Sequence, residues 1–327
     1  MTQPLSLEGL LEGFKYELEC SCKAKTVEYY DVHLRRFICW ARTVGIADDI
    51  RSITKRHIQI FFHHLLNVTE TATGGNGSHR VIRRTEQSRW PYYRSLRRFL
   101  SWAVEEGYIE SNPMVGLRMK APQAPPIEPY QPQHVTRMMA VLEHDWRIAK
   151  TSRQRMLAAR DKAVLLLFLE SGLRCGELAL LTVPDVDLER RRAIVRHGKM
   201  DKGRMVGFGP ETKKALWRYM NQRVSEENAL WLTEEGRPMK LGGIRQIIRR
   251  LKVDAGLQHV KGSVHKLRHT FATLFLRETR DMKGCKNLLG HSSLTMTERY
   301  TEFVDTEDAL KAYNGKGPLD WMKGKSS

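Results

Sequence analysis

The chain is poor in cysteine. Cys20, Cys22, Cys39, Cys175 and Cys285 are its five, an odd number with no Cys-x-x-Cys pair. That excludes a disulfide framework and a cysteine-rich metal site, and it points to a reducing compartment, the cytoplasm. Long hydrophobic runs are also missing, so no membrane span is expected. The N-terminal MTQPLSLEGLLEGF lacks the basic leader and apolar core of a secretory signal. There is no internal repeat and no low-complexity tract. Acid is scarce beside base: 37 Asp and Glu face 55 Lys and Arg, a net charge of +18. Such an excess points to a polyanionic partner, most simply nucleic acid, and says nothing about chemistry.

Proline is unevenly spread. Pro113, Pro122, Pro125, Pro126, Pro129 and Pro132 are half of the twelve, all within 112–133. This stretch reads as an extended, semi-rigid linker between two domains, the number that 327 residues suggest. Both sides are basic, with 18 Lys and Arg against 13 acids in 1–120 and 37 against 24 in the rest. Two positive jaws around a duplex would fit.

The part before the linker reads as helical. Thr26 and Thr54 are candidate caps, the first for a helix through Leu34, Phe37 and Trp40, the second for one carrying Ile58, Phe61, Phe62 and Leu65. The segment TETATGGNGSH at 69–79 reads as a turn-rich loop. A further helix is expected from Pro91, a favourable first-turn residue, to Gly107, with Leu96, Phe99, Leu100, Trp102 and Ala103 inward. Between residues 80 and 98 stand Arg80, Arg83, Arg84, Arg89, Arg94, Arg97 and Arg98, with Glu86 the only acid. A charge run is ordinarily a solvated face, but this one is too lopsided for mixed-sign helix pairing. It is expected to contact DNA phosphates.

Beyond the linker, helices are expected at about 132–145 and 154–171, the second apolar enough to be buried. Gly172 would end it and Arg174 open the next, with Glu177 three residues on. A cation at a helix start is electrostatically poor, which suggests function or pairing with Glu177. RRAIVRHG and RMVGFG read as strands of a hairpin presenting Lys199 near its tip, followed by helices at about 210–224 and 241–255.

The densest chemistry lies in VHKLRHTFATLFLRETRDMKGCKNLLGHSSLTMTERY, 264–300. Leu267, Phe271, Leu274 and Phe275 form an apolar helical face. His265 and Arg268, three apart, project from one side and suit an oxyanion. His265 and His269 have the spacing of a zinc helix, but such a protease needs Glu at the second position, where Lys266 stands. No metal site is expected.

In order, Arg174 in SGLRCGEL, Lys199, His265 and Arg268 in HKLRH, His291 in LLGH and Tyr300 in TERYT resemble the tyrosine recombinase (phage integrase) family, including its Xer-type members. The motifs span about 130–305, and Met200 departs from the small residue expected after the lysine. The resemblance implies a mainly α fold with a small β-sheet: a helical core-binding, SAM-like DNA-binding domain over 1–118, a Pro-rich linker over 119–133 and an α+β catalytic domain over 134–327. It implies double-stranded DNA as partner and a homotetramer on paired sites, acting alone or with a second recombinase. It implies no cofactor. The chain looks too short for an additional arm-binding domain, which suggests a simple recombinase of a mobile element or replicon.

The chemistry follows from the residue types. Arg174 and Arg268 can fork onto the non-bridging oxygens of a phosphodiester and stabilise the pentacoordinate transition state. His291 can donate a further hydrogen bond. Tyr300 is the nucleophile, forming a 3′-phosphotyrosyl bond. A phenol is only about 0.1% ionised at pH 7, so its phenolate costs about 4 kcal/mol, and His265 is the expected general base. Glu177 and His269 would support these groups. The resemblance makes Lys199 the general acid for the leaving 5′-oxygen. The covalent bond conserves energy, so rejoining needs neither ATP nor metal. Two other classes share some of these features: a type IB topoisomerase, which would relax site-free plasmid, and an accessory DNA-binding protein with a lapsed site, which would form no adduct.

Overall fold

The structure, a computed structural model, describes residues 6–67, 69–73, 79–83, 86–122, 128–196, 203–262 and 264–313. Arg84 and Lys199 lie outside these residues. The chain divides into two compact units, Met1–Ala124 and Pro125–Ser327. It is mainly helical with a small sheet in the second unit, as expected.

The first unit contains α1 (Leu7–Ser21), α2 (Ala24–Thr43), α3 (Lys55–Asn67), strands β1 (Thr69–Thr73) and β2 (His79–Arg83), and α4 (Glu86–Glu105). Ser6 caps α1 by accepting from the Gly9 N–H at 3.1 Å, and Thr54 caps α3 through the His57 N–H at 3.2 Å. Thr26 is no cap, because α2 starts two residues earlier. Phe14, Phe37, Phe61, Phe99 and Trp102 fill the core, with Phe14 edge-on to Phe99 at 5.5 Å between ring centres. The five apolar residues expected inward on α4 are all buried.

Two expectations are corrected here. Thr69–Thr73, expected within a loop, is a strand: it pairs antiparallel with His79–Arg83, Thr71 opposite Val81. Alternating β-branched threonines sustain a strand that the neighbouring glycines disguise. Pro91 does not start its helix. It lies inside α4, which begins at Glu86; one lost backbone bond near the first turn is tolerated because the buried face beyond it carries the helix.

The second unit contains α5 (Pro132–Ile148), α6 (Ser152–Ser171), α7 (Cys175–Ala179), strands β3 (Val186–Asp187), β4 (Arg192–Val195) and β5 (Arg204–Gly207), then α8 (Pro210–Gln222), α9 (Leu241–Asp254), α10 (His265–Thr279), α11 (Met282–Leu289) and α12 (Thr295–Tyr313). Thr151 opens α6 with a capping box to Gln154. As expected, α6 is buried over most of its surface, from Ala158 to Phe168. It even encloses Arg160 and Asp161, which pair at 2.8 Å while Arg160 also donates to the Leu232 carbonyl. The sheet has the order β3-β4-β5, all antiparallel, with Val195 opposite Arg204. The expected hairpin is therefore present, joined by a third strand that was not anticipated.

One helix differs from expectation. On α10, Leu274 is 40% exposed and Phe271 and Phe275 are only half-buried, whereas Arg268, Thr270, Ala272, Thr273 and Leu276 are buried. Thr270 is accommodated in this core because it is bonded there: it donates to the Lys266 carbonyl and accepts from the Tyr130 N–H, each at 2.8 Å. The segment after Tyr300 continues α12, which runs unbroken from Thr295. It packs on its own unit, with Val304 buried beside Leu289 and Cys285. Arg277 pairs with Glu307, and Arg280 with Asp305 at 2.8 Å and with Asp308.

Candidate active site

Four of the expected catalytic side chains converge in the second unit. Arg174 stands in the turn between α6 and α7, Arg268 on α10, His291 in the turn after α11, and Tyr300 on α12. The turns are set by glycines. Gly172 ends α6 at φ +61°, and a Cβ there would lie 2.4 Å from the Phe271 ring, so a side chain is barred by conformation and by space. Gly290 ends α11 at φ +63°. The carbonyls freed at these helix ends hold the arginines. Arg268 donates to Gly172 O and to Leu289 O, both at 2.7 Å, and Arg174 donates to Gly290 O at 3.0 Å.

Glu177 organises Arg174 as expected. Its carboxylate accepts from the Arg174 backbone N–H at 2.7 Å and from Nη1 at 2.8 Å. Sequence reasoning missed its second partner, Arg204 on β5, which forks onto both carboxylate oxygens at 3.0 and 2.7 Å. Burial alone would raise the Glu177 pKa, but the hydrogen bonds from Arg204 and Arg174 hold it at about 2. Burial, then Arg174, lowers Arg268 to about 10, still cationic at neutral pH. Three guanidiniums against one carboxylate leave an electropositive site, suited to the dianionic transition state of phosphoryl transfer.

Tyr300 is 3% exposed and sits against Ala272, Leu276, Cys285, Leu289 and Val304. Burial raises its pKa, against the pull of Arg268. Its hydroxyl lies 2.7 Å from Nδ1 of His269. The residue expected as base, His265, is one helical turn away, with its surface open to solvent; its pKa is lowered by partial desolvation of the ring and by Arg268, Arg245 and Arg174. Both histidines lie on the same side of α10, so only the packing of α12 decides which one meets the tyrosine. Burial first, and then His265 and Arg268, lowers His269 to about 4. It is therefore neutral near pH 7 and able to accept a proton.

His291 is 8% exposed, stacked on Tyr300 at 6.2 Å with 10° between ring planes. Its Nδ1 lies 2.8 Å from the hydroxyl of buried Thr297. When that hydroxyl donates, Nε2 carries the proton and is a hydrogen-bond donor. Burial, followed by Arg268 and Arg174, lowers His291 to about 4. Thr297 too was missed. Nothing in its sequence context separates it from the neighbouring threonines, and neither does anything mark Arg204 among the other arginines of the hairpin.

The expected DNA-contacting arginines belong to the first unit. Arg80 and Arg83 lie on β2, and Arg89, Arg94, Arg97 and Arg98 on α4. Arg94 and Arg97 are exposed. Arg98 is exposed too, and also stands 3.6 and 3.8 Å from Glu17 and Glu105. Among the described residues, no group of three His, Cys, Asp or Glu is placed to hold a metal ion, and no helix is long and apolar enough to cross a membrane.

A buried tyrosine beside a neutral histidine, in an arginine-lined site, is the arrangement of a phosphoryl-transfer enzyme with a protein nucleophile. Comparison with known proteins agrees. The model of the phage integrase family matches residues 133–307. Tyrosine recombinase XerC 2 of Ralstonia nicotianae is 30% identical over 294 residues, covering 88% of this chain and 79% of the relative. XerC of Oceanobacillus iheyensis is 30% identical over 303 residues, covering 90% of each. The fold is similar to that of XerH site-specific recombinase bound to palindromic difH substrate in a post-cleavage complex. There the TM-score is 0.70 at 18% identity, over 95% of this chain and 85% of that one. A lambda integrase dimer bound to a COC′ core site gives a TM-score of 0.65 at 17% identity, over 90% and 77%. The chain belongs to the phage integrase family, the tyrosine-type site-specific recombinases.

Proposed function

We propose that this recombinase cleaves and rejoins duplex DNA through Tyr300. The phenolic oxygen attacks the scissile phosphorus, a 3′-phosphotyrosyl bond forms, and the P–O bond to the 5′-oxygen breaks. Arg174 and Arg268 bind the non-bridging oxygens, with His291 donating through Nε2. His269, at 2.7 Å, takes the phenolic proton. His265, one helical turn from His269 and beside Arg268, is a donor to the phosphate rather than the base. Lys199 delivers the proton to the 5′-oxygen, a role carried over from the family motif. Rejoining reverses these steps, with the 5′-hydroxyl as nucleophile.

Residues 1–118, within the first unit, act as a DNA-binding domain, and the arginines of 80–98 contact phosphates. The five free cysteines support action in the reducing cytoplasm. Integration, excision or resolution of a mobile element or replicon are the processes this chemistry serves. Relaxation of supercoils by a monomer gains no support from the relatives, which are recombinases.

The observation that carries this reading is the contact between Tyr300 and His269 within the arginine site. The test is to recover and sequence DNA covalently attached to the chain in cells, for wild type and Tyr300→Phe. Phe keeps the ring packing and removes only the attacking oxygen. Wild type should carry a recurring DNA sequence and Tyr300→Phe none, while the purified variant still binds that sequence. An adduct surviving in Tyr300→Phe would mean a different nucleophile.

A further inference from the structure

We infer that Arg204 is a positioning residue for strand cleavage: its guanidinium ties Glu177 to the turn before His291, so that Arg174 and His291 address the same phosphate. This rests on the reading that Arg174 and His291 bind the scissile phosphate.

Arg204 opens β5, and its side chain is 11% exposed. All three of its nitrogens are engaged. Nη1 and Nη2 fork onto the two oxygens of Glu177, at 3.0 and 2.7 Å, and Nε donates to the Leu288 carbonyl at 2.8 Å. Glu177 passes this constraint to Arg174 through both of its oxygens. Arg174 then closes the circuit by donating to the Gly290 carbonyl at 3.0 Å. The guanidinium also lies flat against that turn. A Cβ on Gly290 would stand 3.0 Å from Arg204 Nη1 and 3.1 Å from its Cδ and Cζ.

Two arginines, one carboxylate and two carbonyls thus lock three separate pieces of chain: β5, the start of α7, and the turn that ends at His291. With its nitrogens turned inward, Arg204 acts through Arg174 and His291 and does not itself face the phosphate. A lysine could not replace it, because one ammonium cannot fork onto a carboxylate and also reach a carbonyl. Loss of the fork leaves Glu177 held by Arg174 alone and strips the Leu288 carbonyl of its Arg204 partner.

The experiment uses the full chain and a nicked duplex bearing the sequence recovered from wild-type adducts in cells, its scissile link either a phosphodiester or a neutral methylphosphonate. DNA affinity, the single-turnover rate of adduct formation at saturating DNA, and the melting temperature are measured for wild type, Arg204→Lys, Arg204→Gln and Glu177→Gln. On the phosphodiester, both Arg204 variants should form adduct about 10²-fold more slowly, with affinity nearly unchanged. On the methylphosphonate, which carries no charge for Arg174 to neutralise, the defect should shrink. Glu177→Gln keeps the size of the side chain and must show the same dependence on the link, which covers the case in which the Arg204 variants unfold. Wild-type rates in folded Arg204 variants, or an equal defect on both links, would overturn the positioning role. Failure of wild type to form any adduct would instead overturn the assignment of Tyr300, and this inference with it.

Discussion

Tyr300 and His269 meet at 2.7 Å, but the site is not poised to pass a proton on its own. Burial lifts the phenol above its ordinary range and, with its cationic neighbours, holds the imidazole at about 4. The gap is too wide for a phenolate to form in advance, so transfer must accompany attack, when the incoming phosphodiester offsets the arginines and makes His269 more basic. The same depressed histidines make stability pH-dependent. Unfolded histidines bind protons from about pH 6.5 downward, whereas folded His269 and His291 resist until about 4. The unfolded state therefore binds more protons in this window, and stability falls as pH drops from 6.5 towards 4. For His291 the gap is worth on the order of 3 kcal/mol. The melting temperature should fall between pH 7 and pH 5, and the fall should be smaller by a few degrees in His291→Asn. A variant whose melting temperature drops as much as wild type over this range would refute the buried-histidine account.

At the scale of elements, legibility followed the kind of interaction. Arg174, Arg268, His291 and Tyr300 could be read in sequence because their chemistry is tied to order and spacing. Which histidine meets the tyrosine could not, because His265 and His269 share a face of α10 and the choice lies in how α12 docks. Arg204 and Thr297 were hidden for the same reason: their roles exist only across elements. The inward face of α4 was legible from its 3.6-residue period, but its start was not, since Pro91 imitates a first-turn residue. The structure also sharpens what α4 can do. Arg94, Arg97 and Arg98 are exposed, and Arg98 also stands near Glu17 and Glu105. If α4 lies on DNA phosphates, replacing Arg94 and Arg97 by Ala should flatten the log–log salt dependence of binding by about 1.8. Arg98→Ala should leave the slope nearly unchanged. Equal effects from all three would mean that Arg98 leaves its carboxylates on DNA, and no effect from any would place the DNA on another face.

For the whole molecule, the governing fact is one nucleophile per chain. Exchange between two duplexes breaks both strands of each, four strands in all. Tyr300 stays esterified to its strand until that strand is rejoined. With one chain per strand, the arrangement expected on a pair of sites is four chains. The net charge of +18 opposes bringing four such chains together, but each arrives on a polyanion that more than cancels it. Assembly should thus depend on DNA, with the free chain remaining smaller. Nothing in this argument needs the attacking oxygen, so Tyr300→Phe should assemble like wild type. Light scattering on size-exclusion eluates, with and without a duplex of the recovered sequence, measures this directly. We expect four chains and two duplexes for both proteins in low salt, falling apart as salt is raised. The described part of α12 packs on its own unit, through Val304 and the Arg277 and Arg280 ion pairs, so assembly should also survive Arg280→Ala. Complexes that stop at two chains on one duplex, while strands are still exchanged, would show that one tyrosine serves more than one strand and would overturn the four-chain unit.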